Sequence, residues 1–376
     1  MAPRENERKI GYLNKVTRNV RSVDPSEFRA FYDDLNAADC VVLVGEGRSQ
    51  SALYIGMGQM KEKTVKTMVD IDFPGRDIVE AAPVLEKKYD KIALLVNSGS
   101  GETSTPKIVV KQLSDYIERT RSEKFTINAI VSETESSIGK IAEKNYGCVV
   151  ELKGRENRPY SSNGFLKHGI MNDVYELGSL LLLQKTKEAI NEQAGYGSVP
   201  KKIEAESKKI KKFVRSFVKT ESYERILDNL ETRSRITMGG LGPARNVAKM
   251  TAIRLQHVKR AIGDEAYLSG PFAPRSRAGD ILFLLSWSGE TEPLLEWCKG
   301  QKKAGGFVYS IVGKESTLSR ASESGSFIIK SSATTFYERA TFALSPLPLH
   351  LVERLNERGL KLPEYILKWL QHSVTE

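Results

Sequence analysis

The chain has 376 residues, 40% of them hydrophobic and 28% charged, with 57 basic against 47 acidic side chains for a formal net charge of +10. That balance is ordinary for a globular protein long enough to bury two cores, and no apolar run is long enough to span a membrane. The three cysteines, Cys40, Cys148 and Cys298, lack disulfide or zinc spacing and read as buried structural thiols.

The polar start, Met1 to Ile10, is unlike a signal peptide, so the expected compartment is the cytoplasm. Residues 5–37 read as two helices broken at Ser22-Val23-Asp24-Pro25. Apolar strands are expected near 40–45, 65–70, 91–97, 125–131 and 147–152, with helices between several of them. A long helix carrying Tyr175-Glu176-Leu177 closes this half near residue 190, and Ala194 to Pro200 reads as a boundary. Residues 199–219 place Ile203, Ile210, Phe213, Val214 and Phe217 at helical spacing among eight Lys and Arg, an amphipathic helix with a solvated basic face. Further strands follow near 234–239, 265–269, 280–286, 307–312 and 326–330, then a long apolar helix from Ala340 to Leu351 and a short helix at 364–372. Pure apolar strands alternating with helices argue for parallel sheets covered on both faces.

The two halves repeat one pattern. Ser98-Gly99-Ser100-Gly101-Glu102-Thr103 follows the third strand, and Ser286-Trp287-Ser288-Gly289-Glu290-Thr291 follows its counterpart in the second half. Gly45-Glu46-Gly47 and Gly240-Leu241-Gly242 each end a preceding strand, and Glu176 and Glu338 each sit at the start of an apolar helix behind an aromatic residue. A strand, a hydroxyl-rich glycine turn and a helix start form an anion cradle. The first helical N–H groups lack partners, the dipole adds positive charge, and glycine admits close approach. Ser49, Ser51, Ser98, Ser100 and Thr103 are the candidate phosphate ligands of the first half, and Ser286, Ser288, Thr291 and Arg245 those of the second. In an ungapped comparison of the glycine turns, Ser49 and Ser51 face Ala244 and Asn246, and Pro243 removes a donor. One good site in the first half and an altered one in the second are therefore expected, with Arg245 supplying charge in the latter.

Nucleotide motifs are absent: Gln50 stands where a dinucleotide fingerprint needs its third glycine, and Gly313-Lys314 lacks P-loop spacing, with Glu315 in place of Ser or Thr. His168, His257, His350 and His372 are scattered with no metal-ligand cluster. No cofactor or metal is expected, and nucleic acid is not expected as a partner, since no RNA-binding signature or helix-turn-helix stands out.

On these residues the chain resembles the double SIS (sugar isomerase) domain proteins, over about 35–190 and 225–360. Tyr175-Glu176-Leu177-Gly178-Ser179-Leu180 is similar to the helix of 6-phospho-3-hexuloisomerases that carries a catalytic glutamate. The resemblance implies two α/β SIS domains, each a mostly five-stranded parallel sheet flanked by helices in a flavodoxin-like three-layer sandwich. The expected organisation is a helical segment at 1–36, a first domain at 37–193, a linker with the basic helix at 194–232, a second domain at 233–358 and a C-terminal helix at 359–376. It also implies a phosphorylated sugar as ligand, and a homodimer is expected. An aldose–ketose interconversion moves one proton between adjacent carbons, which one carboxylate can carry while the phosphate grip sets register. Glu176 and Glu338 are the candidate bases, Asp173 a fallback, and His168 the candidate for ring opening. An extra loop near 153–168, with Arg155, Arg158, Tyr160, Ser161, Ser162 and Asn163, is placed to cover the first site. Two alternatives stay open: an amino-sugar phosphate deaminase-isomerase, and a non-catalytic phosphosugar sensor that controls a partner.

Overall fold

The computed structural model describes residues 10–155, 173–232 and 234–360. His168, the 156–168 part of the covering loop and the 364–372 helix lie outside the described residues. Among the described residues the chain separates into two compact units, one made of 14–155 with 174–206, the other of 10–13, 173 and 207–360.

The first unit holds strands β1 (Cys40–Gly45), β2 (Thr64–Thr67), β3 (Ile92–Asn97), β4 (Phe125–Val131) and β5 (Val149–Glu151). They form one parallel sheet in the order β2-β1-β3-β4-β5. The helices are α1 (Tyr12–Arg21), α2 (Pro25–Ala37), α3 (Gly47–Met57), α4 (Ile78–Lys88), α5 (Ser104–Thr120), α6 (Ser137–Lys144) and α7 (Asp173–Asn191). β1 and β3 are buried along almost their whole length, as continuous apolar runs covered on both faces must be. One core gathers Val42, Leu94 and Ile127 of the sheet with Ile78, Leu113 and Ile138 of the helices. The N-terminal helices belong to this unit's packing. Asp34 of α2 accepts from the Thr126 hydroxyl at 2.7 Å, and Asn19 donates to the Lys153 carbonyl at 2.7 Å. Asp24 caps α2 and Pro25 opens it, which accounts for the break at 22–25.

The second unit repeats the arrangement. β6 (Ile236–Gly240), β7 (Ala266–Leu268), β8 (Ile281–Ser286), β9 (Phe307–Val312) and β10 (Gly325–Ile328) pair in parallel in the order β7-β6-β8-β9-β10. Strand for strand this is the order of the first sheet. Helix α8 (Val199–Phe217) carries the basic face and belongs to this unit from Ser207 on, followed by α9 (Glu221–Glu231), α10 (Pro243–Arg260), α11 (Glu292–Lys303), α12 (Thr317–Ala321), α13 (Ala333–Leu344) and α14 (Pro346–Glu357). The long apolar helix expected over 340–351 is two helices, because Pro346 and Pro348 have no N–H to continue the ladder of α13. In both sheets the chain leaves the first strand toward one edge and then crosses to its other side. The gap between β1 and β3, and that between β6 and β8, is therefore the switch point where α/β folds bind ligands.

Cys40 and Cys298 are buried as expected, whereas Cys148, just before β5, is only half-buried. Burial pushes the Cys40 thiol up to about 11, and Tyr116 is raised to about 12, by burial first and then by its hydrogen bond to Glu86. Tyr175 and Tyr223 are raised well above their ordinary value by burial. Each group is held neutral in the fold, so its contribution is complete below the ordinary value, 9.0 for the thiol and 10.0 for the phenols, and is lost as pH rises through the raised one. Unfolding free energy is expected to fall steeply over this alkaline range. Tyrosinate absorbance of these buried phenols should appear with the unfolding step. Their full titration at the ordinary tyrosine pH in an intact fold would overturn the account.

Candidate functional site

In the first unit the two turns that follow β1 and β3 meet at the switch point, where Gly45 pairs with Asn97. The Ser98–Thr103 turn is held from both sides. Gly101 sits at φ +63° and its N–H donates to the Ser98 carbonyl at 3.0 Å. The Gly101 carbonyl in turn accepts the Ile138 N–H at 3.1 Å, tying the turn to α6. Three hydroxyls converge at the N-terminus of α5: Ser98 Oγ lies 3.0 Å and Ser100 Oγ 3.5 Å from Thr103 Oγ1. Thr103 is the N-cap residue of α5 and makes no side-chain cap bond, so the N–H groups of the first helical turn are not consumed by it. These are the elements of an anion cradle.

Glu102, in the middle of the motif, has a different duty. Its carboxylate accepts the Ser137 N–H at 2.7 Å and the Ser137 hydroxyl at 2.9 Å, and pairs with Lys107 at 3.0 Å. The Ser137 N–H first, and Lys107 with it, hold it below the usual carboxylate range. It ties the turn to the start of α6. Glu290 does the same in the second unit, accepting the Thr317 N–H at 2.8 Å.

Glu176 is not the exposed carboxylate that a helix start would tolerate. It is only 6% exposed and pairs with Arg48, itself 5% exposed, whose Nε donates to Glu176 Oε2. Arg48 lies on the first turn of α3, directly after the Gly45-x-Gly47 turn. The next residue, Ser49, is half-buried, and its carbonyl accepts Asn97 Nδ2 at 2.9 Å. Asn97 ends β3, and its Oδ1 accepts the Tyr175 hydroxyl at 2.7 Å. That hydroxyl also lies 2.7 Å from the Ile130 carbonyl. The Tyr175 ring lies against Gly99, where a Cβ would stand 3.1 Å from Cδ1. A connected set, Ser49, Asn97, Tyr175 and Gly99, thus runs between the cradle and the Arg48–Glu176 pair. Arg155, half-buried, faces Tyr175 and Glu176 and is held below its ordinary value by burial. Ser51 is placed elsewhere: it is fully buried and its hydroxyl donates to the Gly47 carbonyl at 3.3 Å, within α3. Asp173, the fallback, is also buried, and its carboxylate is paired with Arg254 at 2.8 Å.

The second unit keeps the cradle and changes its surroundings. Ser286 Oγ lies 3.0 Å from Thr291 Oγ1 and 3.4 Å from Ser288 Oγ, and Gly289 sits at φ +67°, close to the first copy. The altered character expected of this half therefore lies outside the three hydroxyls. Pro243 stands in the place of Arg48, Leu285 in that of Asn97, and Trp287 in that of Gly99. Trp287 Nε1 donates to the Ser331 carbonyl at 3.0 Å, with Lys314 over its ring. Arg245, expected to supply charge to the cradle, instead donates through Nη1 to the Ser269 carbonyl at 2.6 Å. Glu338 on α13 is completely buried.

Arg48, Asn97 and Tyr175 were not singled out as site residues from the sequence. A signal was present for two of them in the comparison of the halves, since Arg48 and Asn97 give way to Pro243 and Leu285 while the three hydroxyls of the serine turn and the Tyr-Glu pair at the head of the helix are kept. Among the described residues no three His, Cys, Asp or Glu side chains form a metal-sized group, and no helix is long and apolar enough to cross a membrane.

No protein-family model matches the chain, and no curated protein matches its sequence. Solved structures do match in fold. Tagatose-6-phosphate ketose/aldose isomerase from Escherichia coli is 12% identical, with 98% of this chain and 95% of that chain covered at a TM-score of 0.57. Glucosamine-6-phosphate deaminase from Thermotoga maritima is 13% identical, with 97% and 98% covered at 0.55. The C-terminal domain of glucosamine-fructose-6-phosphate aminotransferase from Francisella tularensis is 15% identical, with 92% and 94% covered at 0.56. At such identities the likeness is one of fold, and it agrees with the strand order of both sheets: the chain has the double sugar-isomerase (SIS) fold.

Proposed function

We propose that the chain is a phosphosugar aldose–ketose isomerase whose working site lies in the first unit. The observation that carries this reading is the buried Arg48–Glu176 pair, linked through Asn97 and Tyr175 to an anion cradle at the switch point. In this reading the Ser98, Ser100 and Thr103 hydroxyls and the first N–H groups of α5 bind the phosphate. Hydrogen bonds to a charged group contribute about 1.5–3 kcal/mol each, enough in sum to fix the far end of an open-chain sugar. Glu176 removes the proton from the carbon beside the carbonyl and returns it to the neighbouring carbon. The carboxylate is water-excluded and held by Arg48, so its position does not have to be found anew in each turnover. The fold neighbours include a ketose/aldose isomerase and a deaminase of sugar phosphates, which supports a phosphorylated sugar as the ligand class.

The test is incubation in heavy water with a panel of ketose and aldose phosphates, including tagatose-6-phosphate, fructose-6-phosphate, 3-hexulose-6-phosphate and glucosamine-6-phosphate. The expected result is deuterium beside the carbonyl of one substrate together with appearance of its isomer. Ammonia release from glucosamine-6-phosphate would move the assignment to a deaminase-isomerase. Saturable binding without any exchange would overturn the catalytic reading in favour of a sensor.

A further inference from the structure

From Ser207 to Thr220 the chain carries Lys208, Lys209, Lys211, Lys212, Arg215 and Lys219 and no Asp or Glu. These six cations compare with a formal net charge of +10 for all 376 residues. This part of α8 is fixed by its other face. Ile210, Val214 and Phe217 are buried, and the Phe217 ring lies 4.5 Å from that of Phe327 and 5.0 Å from that of Tyr223. Lys208, Lys209, Lys212, Arg215 and Lys219 are left exposed. Lys208, Lys212 and Arg215 stand at i, i+4 and i+7, one row along the axis with rises of about 6 and 4.5 Å.

Like charges at such spacing destabilise a helix, and exposed faces elsewhere in the chain interleave the two signs. Lys111 pairs with Asp115 on α5 at 2.6 Å, and Lys299 with Glu296 on α11 at 2.7 Å. The carboxylates that follow in α9 are engaged by other cations: Arg354 takes Asp228 at 2.7 Å and Glu231 at 2.6 Å, and Arg225 takes Glu221 at 3.8 Å. Among the described residues Lys209, Lys212 and Lys219 pair with no carboxylate. The composition of the face selects its partner. Five of the six cations are lysines, whereas protein interfaces are depleted of lysine and anchored by arginine and aromatic residues. The apolar side that a membrane helix would bury in lipid is committed to the core. A row of flexible point charges suits the phosphates of a nucleic acid, where each contact releases condensed counterions. We propose that the second half of α8 is a docking surface for a nucleic-acid backbone. With no base-reading motif in the sequence, the contact is to phosphates and not to base edges. The proposal goes beyond the isomerase reading and does not depend on it.

The test is fluorescence anisotropy of a labelled DNA duplex and a labelled single-stranded RNA, both of mixed sequence, titrated with the full chain between about 50 and 200 mM KCl. Both should bind at the lower salt, with a log–log salt slope of about −3 to −5 for the duplex. Lys209→Gln, Lys212→Gln and Lys219→Gln together should weaken binding about tenfold or more and flatten that slope by about 2–3. Lys87→Gln, Lys91→Gln and Lys303→Gln together remove the same charge from exposed positions elsewhere, and should change affinity by no more than about threefold. Binding of neither probe at the lower salt, or equal weakening by the two triple variants, would overturn the proposal. Thermal melting gives a second readout. Relief of like-charge neighbours should leave the midpoint of the first triple variant unchanged or raised. A clear fall would show that these cations serve the fold, and would overturn the proposal.

Discussion

Glu176→Gln is expected to lower kcat for sugar-phosphate interconversion by about 10²–10⁴-fold, the usual contribution of a positioned general base, with affinity for the same sugar phosphate nearly unchanged. The physical basis is a separation of duties within the first unit. Phosphate is gripped by the hydroxyls and N–H groups at the start of α5, and the carboxylate belongs to α7. Glutamine keeps an oxygen for the Arg48 Nε–H but not the charge, so proton abstraction stops while binding continues. The same change removes the negative charge that faces a buried guanidinium, and thermal stability should fall with turnover. Activity is therefore measured well below the midpoint of unfolding, with the fold checked by circular dichroism. Thr103→Val is the converse: it removes one hydroxyl from the cradle, and the loss should be in substrate affinity, by about tenfold to a hundredfold. Turnover by Glu176→Gln within tenfold of wild type would remove Glu176 as the base and turn attention to Glu338.

Gly101→Ala is expected to cost the first unit several kcal/mol of stability. The glycine sits at φ +63°, and a Cβ there would stand 2.0 Å from Ser136 Oγ and 2.4 Å from Ser136 Cβ. The left-handed backbone costs an L-residue roughly 1–2 kcal/mol, and overpacking of a tight contact about 1–3 kcal/mol more. Ser136 cannot simply yield, because its hydroxyl accepts the Gly139 N–H at 3.3 Å and caps α6. A loss of about 3–5 kcal/mol is a large share of the roughly 5–15 kcal/mol that holds a typical domain folded. Gly195→Ala is the matched control. It too has positive φ, +69°, but nothing lies within 4 Å of the added atom, so only the backbone cost should appear. Ser136→Gly in the Gly101→Ala background should restore most of the lost stability. Denaturant titrations in which Gly101→Ala and Gly195→Ala cost the same would show that the contact with Ser136 is not what the glycine protects.

Glu102 and Glu176 show how far the primary structure reached. Both glutamates are visible as repeated letters, one inside each serine turn and one at the head of each apolar helix. Which of them serves structure could not be read there. Capping of α6 by Glu102 depends on where residue 137 returns to the sheet edge, 35 positions later in the chain. The burial of Glu176 depends on Arg48, 128 positions earlier. Ser51 illustrates the same limit at short range: one helical turn from Gly47, its hydroxyl is turned back onto that carbonyl and away from the role its position suggested.

What the amino-acid order determined by itself was local and periodic. Apolar runs with turn signals defined β1 to β10, prolines and caps defined the helix starts, and two copies of one serine turn announced two copies of one sheet. These follow from backbone conformational preference and from burial of apolar faces, which act over a few residues and leave a repeating trace. The tertiary structure alone decided the pairing of Arg48 with Glu176, the bridge through Asn97 and Tyr175 and the diversion of Arg245 to the Ser269 carbonyl. Such pairings are made by side chains far apart in sequence, each at a position where many residues would preserve the strand or helix. They leave no periodic trace, and only the folded arrangement of the strand ends brings them within hydrogen-bonding distance.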